Sequence, residues 1–328
     1  MQKLVPLIAS LISLISAKQF GPITPHFEQW LNSNGYENFE FPRDDMDDYG
    51  SFGGKLSDWD PNMSPNVPIV FFHGNSDAAL TANNFSTGWT NTVKYLLGKG
   101  YTMADLYATS WGDTNTTQAI FRDHDCVTVY RLRKFVESVL EYTRSPKIDI
   151  LSHSMGVTLA RKVIQGGFIA AADGSCNIGK PLNHRIRVLI GIAGANYGLC
   201  NCVGHGEGLI WPTCNSQNGL WPGETCADDR SSSLCGEYPQ AAPCNGPHYS
   251  RFLMDMNNNK QKPAEAVFSM WSESDLLIGW ENMVWGRPTS EIPFSQGNKI
   301  YKNYTHMEIK ELTAGDQYYI LKNLEVPE

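Results

Sequence analysis

The chain is short of positive charge. Its 26 Lys and Arg residues face 34 Asp and Glu, for a formal net charge of −8, and no basic stripe gathers anywhere along it. That balance gives no footing for a nucleic acid. Long apolar runs are also scarce. The one extended run, Leu4 to Ile15, is broken by Pro6 and by serines. It is too short for a bilayer, which takes about 20 apolar residues to cross, so no transmembrane segment is expected. Paired C-x-x-C spacings are missing, which leaves Cys200, Cys202 and His205 as the only rival zinc set, without the usual ligand pattern. The acidic stretch Asp44-Asp45-Met46-Asp47-Asp48 lacks the Gly and Glu spacing of a calcium loop and reads as a solvated loop. There is no internal repeat and no low-complexity tract.

What is present points to export. Lys3, the apolar run and Ser16-Ala17 form a signal peptide over residues 1–17, cut between Ala17 and Lys18. An uncleaved anchor is the alternative. The mature chain, 18–328, is then secreted or lumenal. Eight cysteines agree with that compartment: Cys126, Cys176, Cys200, Cys202, Cys214, Cys226, Cys235 and Cys244. An even count suggests four disulfides whose pairing the sequence leaves open. If all eight pair, Cys126 bonds into the 176–244 segment. Four glycosylation sequons begin at Asn62, Asn84, Asn115 and Asn303, the first weakened by Pro65.

The rest alternates strand and helix. Residues 18–60 look irregular and are expected to wrap the outside. Val67 to Phe72 is a nearly continuous apolar run, the mark of a strand buried on both faces. A helix is expected over Asn83–Gly98, a strand over Ala104–Trp111 and an amphipathic helix over Cys126–Tyr142. A strand at Lys147–Leu151 leads into a helix at Val157–Gln165. Further strands are expected at Arg187–Ala193 and Ala264–Trp271 and from Lys299, with helical segments over 307–325. This order implies a mostly parallel sheet with helices on both faces. Residues 199–250, dense in Cys, Gly, Pro and Trp, read as a disulfide-stapled cap inserted over the site.

The chemistry centres on Ser152-His153-Ser154-Met155-Gly156, a small-x-Ser-x-Gly turn between a strand and a helix. Such a turn lifts a serine hydroxyl above the sheet and turns the next N–H toward a developing oxyanion. Ser154 is therefore the candidate nucleophile, and the Met155 N–H one oxyanion donor. Serine needs a base and an orienting carboxylate. Of the histidines that follow, His184 precedes a strand at the wrong end, and His205 and His248 lie in the insertion. His306, between the last strand and a closing helix, is the candidate base. Asp275, just past a strand, is the candidate acid, with Glu273 and Asp255 as competitors. His73-Gly74-Asn75 ends the first central strand. The Asn75 N–H is the second oxyanion candidate, and His73 is more simply structural.

These motifs resemble the secreted α/β-hydrolases often called lipase class 2, over roughly residues 60–325. The resemblance is carried by Phe72-His73-Gly74-Asn75, Asp105-Leu106-Tyr107-Ala108, Ile148-Asp149-Ile150 leading to Ser154, and Gly194-Ala195-Asn196. Ser152 departs from it, standing where such chains commonly carry Ala or Gly. The resemblance implies an α/β-hydrolase fold, hydrolysis of carboxylic esters that include acylglycerols, no metal or organic cofactor, and a lipid or other ester as partner, met at a lipid–water interface. A general carboxylesterase, an acyltransferase and an inactive lipid- or protein-binding relative are the alternatives. Leu209, Ile210, Trp211, Leu220 and Trp221 would line an acyl trough or else form the cap's own small core.

Overall fold

A computed structural model describes residues 20–58, 66–171, 173–223, 235–236 and 249–328. The signal segment, Asn62, Cys226, Cys244 and His248 lie outside these. The sheet is built from β1 (Ser51–Phe52), β2 (Ile69–Phe72), β3 (Leu106–Thr109), β4 (Ile148–His153), β7 (Ile186–Ile192), β8 (Ala266–Ser272) and β11 (Gly297–Tyr301). Two small hairpins supply the intervening strands: β5 (Phe168–Ala171) with β6 (Gly174–Asn177), and β9 (Met283–Val284) with β10 (Arg287–Pro288). Strand order in the main sheet is β1-β3-β2-β4-β7-β8-β11, parallel throughout except for β1, which pairs antiparallel with β3.

The apolar runs are explained by burial on both faces. In β2, Val70 and Phe72 join one core with Phe27, Tyr107, Val136, Val163 and Leu189. Ile69 and Phe71 point the other way, into a second core with Trp89, Leu151, Ile190, Phe268 and Ile320. Successive side chains of one strand thus feed opposite layers. The first layer is covered by α3 (Cys126–Thr143), α4 (Met155–Gln165) and α5 (Arg251–Asn257), the second by α2 (Thr90–Leu97) and α7 (Ala314–Asn323).

Register places the site. Phe72 faces Ser152, and Ser152 faces Gly191. Gly191 faces Ser269, and Tyr301 faces Ser272. The strands therefore end together, and the loops after β2, β4, β7, β8 and β11 share one edge. β3 lies on one side of β2 and β4 on the other, so the chain reverses direction across the sheet at β2, which opens a crevice at the carboxyl ends.

Some elements differ from expectation. Residues 18–60 are not merely an outer wrap. Thr24 caps α1 (Pro25–Ser33), accepting from the Phe27 N–H, with Pro25 at the first helical position. Phe27, Leu31, Phe41 and Phe52 are buried, and β1 extends the sheet. The helix expected from Asn83 begins only at Thr90. Asn83 instead accepts from the N–H groups of Phe85 and Ser86, closing a turn, and Gly88 has φ +57°. β3 is shorter than Ala104–Trp111, because the Asp105 side chain accepts from the Thr102 N–H and folds a turn before it.

Among the described residues the cysteines pair Cys126–Cys176, Cys200–Cys235 and Cys202–Cys214. Cys126 does bond into the later segment. Cys200 and Cys202 are both taken by disulfides, which removes the zinc reading. In the acidic stretch Asp45 pairs with Arg43. No helix of the described residues is long and apolar enough to cross a membrane.

Phe27 is fully buried against Tyr107, Phe135 and Tyr142. Phe27→Ala should lower the unfolding free energy by about 3–5 kcal/mol in urea titration. A change near zero would restore the outer-wrap reading.

Candidate active site

Ser154 sits between β4 and α4 with φ 55° and ψ −132°, a backbone region that non-glycine residues rarely occupy and that costs on the order of 1–3 kcal/mol. Its surroundings impose that geometry. Its N–H donates to the Ile192 carbonyl at 2.8 Å. A Cβ on Gly156 would lie 2.4 Å from the His73 carbonyl oxygen and 2.6 Å from that of Phe72, and one on Gly74 would lie 2.8 Å from the Ser154 Cβ. The two glycines let the Ser154 turn and the loop after β2 press together. Ser152, the departure from the family pattern, is fully buried, and its hydroxyl donates to the Ile190 carbonyl at 2.9 Å. The neighbouring strand thus satisfies the extra polar group.

Asp275 and His306 meet across the β8 and β11 loops. His306 Nδ1–H donates to Asp275 Oδ2 at 2.6 Å, leaving Nε2 as the nitrogen with a lone pair. The other Asp275 oxygen accepts from the N–H groups of Leu277 (3.0 Å) and Ile278 (3.1 Å), which fixes the carboxylate. Ser272 ties the two loops, accepting from the N–H groups of Ser274 and Tyr304. Asp275 is 1% exposed, whereas Glu273 and Asp255 are exposed. The competitors are therefore not joined to a histidine. His184 lies in a short turn before β7, at the opposite end of the sheet.

His153, next to Ser154, connects the Ser154 turn to the His306 loop. Its Nε2–H donates to the His306 carbonyl at 2.9 Å, and the two rings lie 4.6 Å apart. Burial, reinforced by the neighbouring His306, holds its pKa well below the usual value, so the ring stays neutral. His73 is neutral for the same reason, pushed down to about 4 by burial. It accepts from the Trp111 N–H and donates to the Gly74 carbonyl, using both nitrogens structurally.

Asn75 and Met155 border the same cleft as Ser154. Neither backbone N–H donates to a protein acceptor among the described residues. The Asn75 side chain is clamped by Arg122, which donates to its oxygen at 2.8 Å, and by the Ala119 carbonyl, which accepts from its nitrogen at 2.9 Å.

A group that sequence reasoning missed lies beneath the site. Lys310, fully buried on α6 (Glu308–Glu311), donates to Asp77 Oδ2 at 2.7 Å and to Thr87 Oγ1 at 3.1 Å, and also bonds the Gly88 carbonyl. Asp77 accepts in addition from the N–H groups of Ala78 and Gly88. The pair joins the loop that holds Asn75 to the helix that follows His306. Its members stand 233 residues apart, and nothing in the local sequence of either announces the other.

The cleft has a volume of about 600 Å³. Leu199, Val203, Trp211, Leu220, Leu277 and Ile278 form much of its wall, and His205 and the Cys202–Cys214 bridge also face it. Described residues of the insertion thus line the same cleft as Ser154. Its apolar residues divide: Trp211 and Leu220 line the cleft, whereas Leu209 and Ile210 are 83% and 68% exposed.

Burial opposes ionisation of Asp77, but the Lys310 charge outweighs it and brings the pKa down to about 2. A depressed carboxylate stabilises the fold above its unfolded pKa near 4 and loses that contribution as pH falls toward 2, here roughly 2 kcal/mol. Lys310→Met should leave Asp77 buried without its counter-charge, cost about 3–5 kcal/mol and move the acid-unfolding midpoint to higher pH. An unchanged midpoint in a circular-dichroism pH titration would remove the pair from this role.

The family described as Lipase (class 2) matches residues 66–319. Among curated proteins nothing matches. Solved structures that resemble the chain include a Bacillus licheniformis lipase in mature form, 12% identical, covering 83% of this chain and 97% of that one with a TM-score of 0.47. Aspergillus fumigatus lipase B is 12% identical and covers 86% of this chain and 57% of its own, with a TM-score of 0.45. A Paleococcus ferrophilus monoacylglycerol lipase is 13% identical and covers 78% and 96%, with a TM-score of 0.41. The fold is that of the α/β-hydrolases, and the chain belongs to the lipase (class 2) family.

Proposed function

We propose that this protein is a secreted serine hydrolase that cleaves acylglycerol esters through an acyl-enzyme. The observation that carries the reading is the 2.6 Å Asp275–His306 bond, formed on the same sheet edge as the strained Ser154 and beside an apolar cleft. Family membership supports ester hydrolysis. Ser154 Oγ attacks the ester carbonyl carbon while His306 Nε2 takes its proton. The N–H groups of Asn75 and Met155 receive the oxyanion. Collapse of the tetrahedral adduct breaks the carbon–oxygen bond to the alcohol, which leaves with the proton from His306. Water then repeats the sequence on the acyl-enzyme and releases the acid and free serine. Asp275 takes the Nδ1–H, which leaves Nε2 to act as the base, and stabilises the imidazolium.

The acylglycerol substrate is argued from the cleft. Its largely aliphatic wall suits an acyl chain. Leu277, 55% exposed, and Ile120 line it. Export is argued from the signal segment at 1–17, the disulfides and the sequons. Asn84, Asn115 and Asn303 are all exposed. Asn303 lies three residues before His306, and its exposure leaves room for an outward glycan.

Labelling of the purified protein with a fluorophosphonate, with the modified residue mapped, tests nucleophile and base together. Ser154 should carry the label, and Ser154→Ala should carry none and hydrolyse no triglyceride emulsion. Asp275→Asn should bind substrate but lose about 10³–10⁴-fold in kcat. Label on another residue, or full activity in Ser154→Ala, would refute the assignment. Cleavage of short p-nitrophenyl esters alone would make the protein a general carboxylesterase.

A further inference from the structure

Helix α4 carries a buried charge that the proposed mechanism does not use. Arg161 is 5% exposed. Its Nη1 donates to Asn196 Oδ1 at 2.8 Å and its Nη2 to Asn257 Oδ1 at 2.9 Å. Both partners are neutral amides. Among the described residues no carboxylate pairs with it, and burial lowers its pKa to about 10 with only Tyr197 opposing. The guanidinium offers five N–H donors, of which these bonds use two. The last turn of α4 supplies about half a negative charge. A unit cation withdrawn from water without full compensation costs several kcal/mol.

A small cavity of about 20 Å³ opens beside this group. Arg161, Gln165, Asn183, Asn259, Gln261 and Lys262 face it, and its lining holds no carboxylate. Room of that size admits one water-sized occupant. The Lys262 ammonium donates to the Glu265 carbonyl at 2.6 Å, which fixes a second cation at the rim. Half of the wall is thus cation or amide, with Ile164, Pro181, Met256, Pro263, Pro293 and Phe294 completing it around a space for a single small occupant.

We infer that the cavity beside Arg161 binds a small monovalent inorganic anion, of the size of chloride, as the missing counter-charge of the buried guanidinium. The site is distinct from the cleft above Ser154, but the two are connected. Asn196 follows Ala195, which lines that cleft, and Arg161 belongs to the helix that starts after Ser154. The anion therefore stabilises the junction between α4 and the loop after β7.

The test compares melting of the intact secreted protein in sodium chloride, sodium bromide and sodium gluconate at equal ionic strength. Chloride and bromide should raise Tm by about 2–4 °C over gluconate. Asn196→Asp supplies a fixed carboxylate in the same shape. The Asn196 Nδ2 has no acceptor, so the change removes no hydrogen bond. This variant should melt higher in gluconate and lose its halide dependence. Arg161→Gln, which removes the charge, should also be insensitive to halide. An anomalous map from bromide-soaked crystals should show a peak beside Arg161. Equal melting of the wild type in all three salts, a halide shift that persists in both variants, or a bromide map with no peak in this cavity would overturn the inference. If neither variant folds, the bromide map alone decides.

Discussion

The molecule is organised around a backbone that cannot relax at Ser154. A serine with φ near 55° stays there only because its neighbours leave nowhere else to go. The Ile192 carbonyl holds its N–H. Gly156 brings the start of α4 against the carbonyls of Phe72 and His73, and Gly74 brings the next loop against the serine itself. These contacts demand that β2, β4 and β7 end in register, and so they do. The two buried cores on either face of the sheet hold that register in place. The strain at one residue is thus sustained by packing throughout the domain.

Electrostatics beneath the site follow the same logic. His73 and His153 are kept neutral by burial, so His73 serves as donor and acceptor and His153 as donor without adding charge beside His306. A buried ion pair, Asp77 with Lys310, lies there, enclosed and amply bonded, with Glu311 also within 3.2 Å of the Lys310 ammonium. That pair fastens the loop bearing Asn75 to the helix after His306. Arg122 fastens the same loop from the other side. The proposed oxyanion donor Asn75 and the proposed base His306 thus sit beside segments fastened by a buried ion pair and by Arg122.

Much of this could be read in the residues. The apolar run before His73, the small-x-Ser-x-Gly turn and the amphipathic helix from Cys126 each carry a local signal strong enough to survive tertiary context. Asp275 and His306 could be chosen because chain order and strand ends restrict the candidates. The segment before residue 60 was harder. Its aromatics carry no clean period, because α1 is short and the rest is turns, so their burial is visible only once they pack on Tyr107, Phe135 and Tyr142. The turn at Asn83 was masked by apolar residues at helical spacing, although an asparagine side chain bonding its own backbone won locally. The cap was legible as cysteine-rich, but which of its apolar residues would face the cleft was not.

By itself, then, the sequence determined the elements and their chemical types: strands buried on both faces, a serine on a tight turn, an acid and a histidine after later strands, cysteines suited to an oxidising compartment. These follow from short-range pattern, in which each residue's neighbours set its conformation. Tertiary structure alone decided the partnerships. Asp77 with Lys310, His153 with the His306 carbonyl, Arg161 with two asparagines and no acid, and the division of the cap between cleft wall and exposed surface all join residues far apart in the chain. Such pairings depend on where strands end and how layers stack, and a hydrogen bond or ion pair over that distance leaves no periodic trace in the residues that make it.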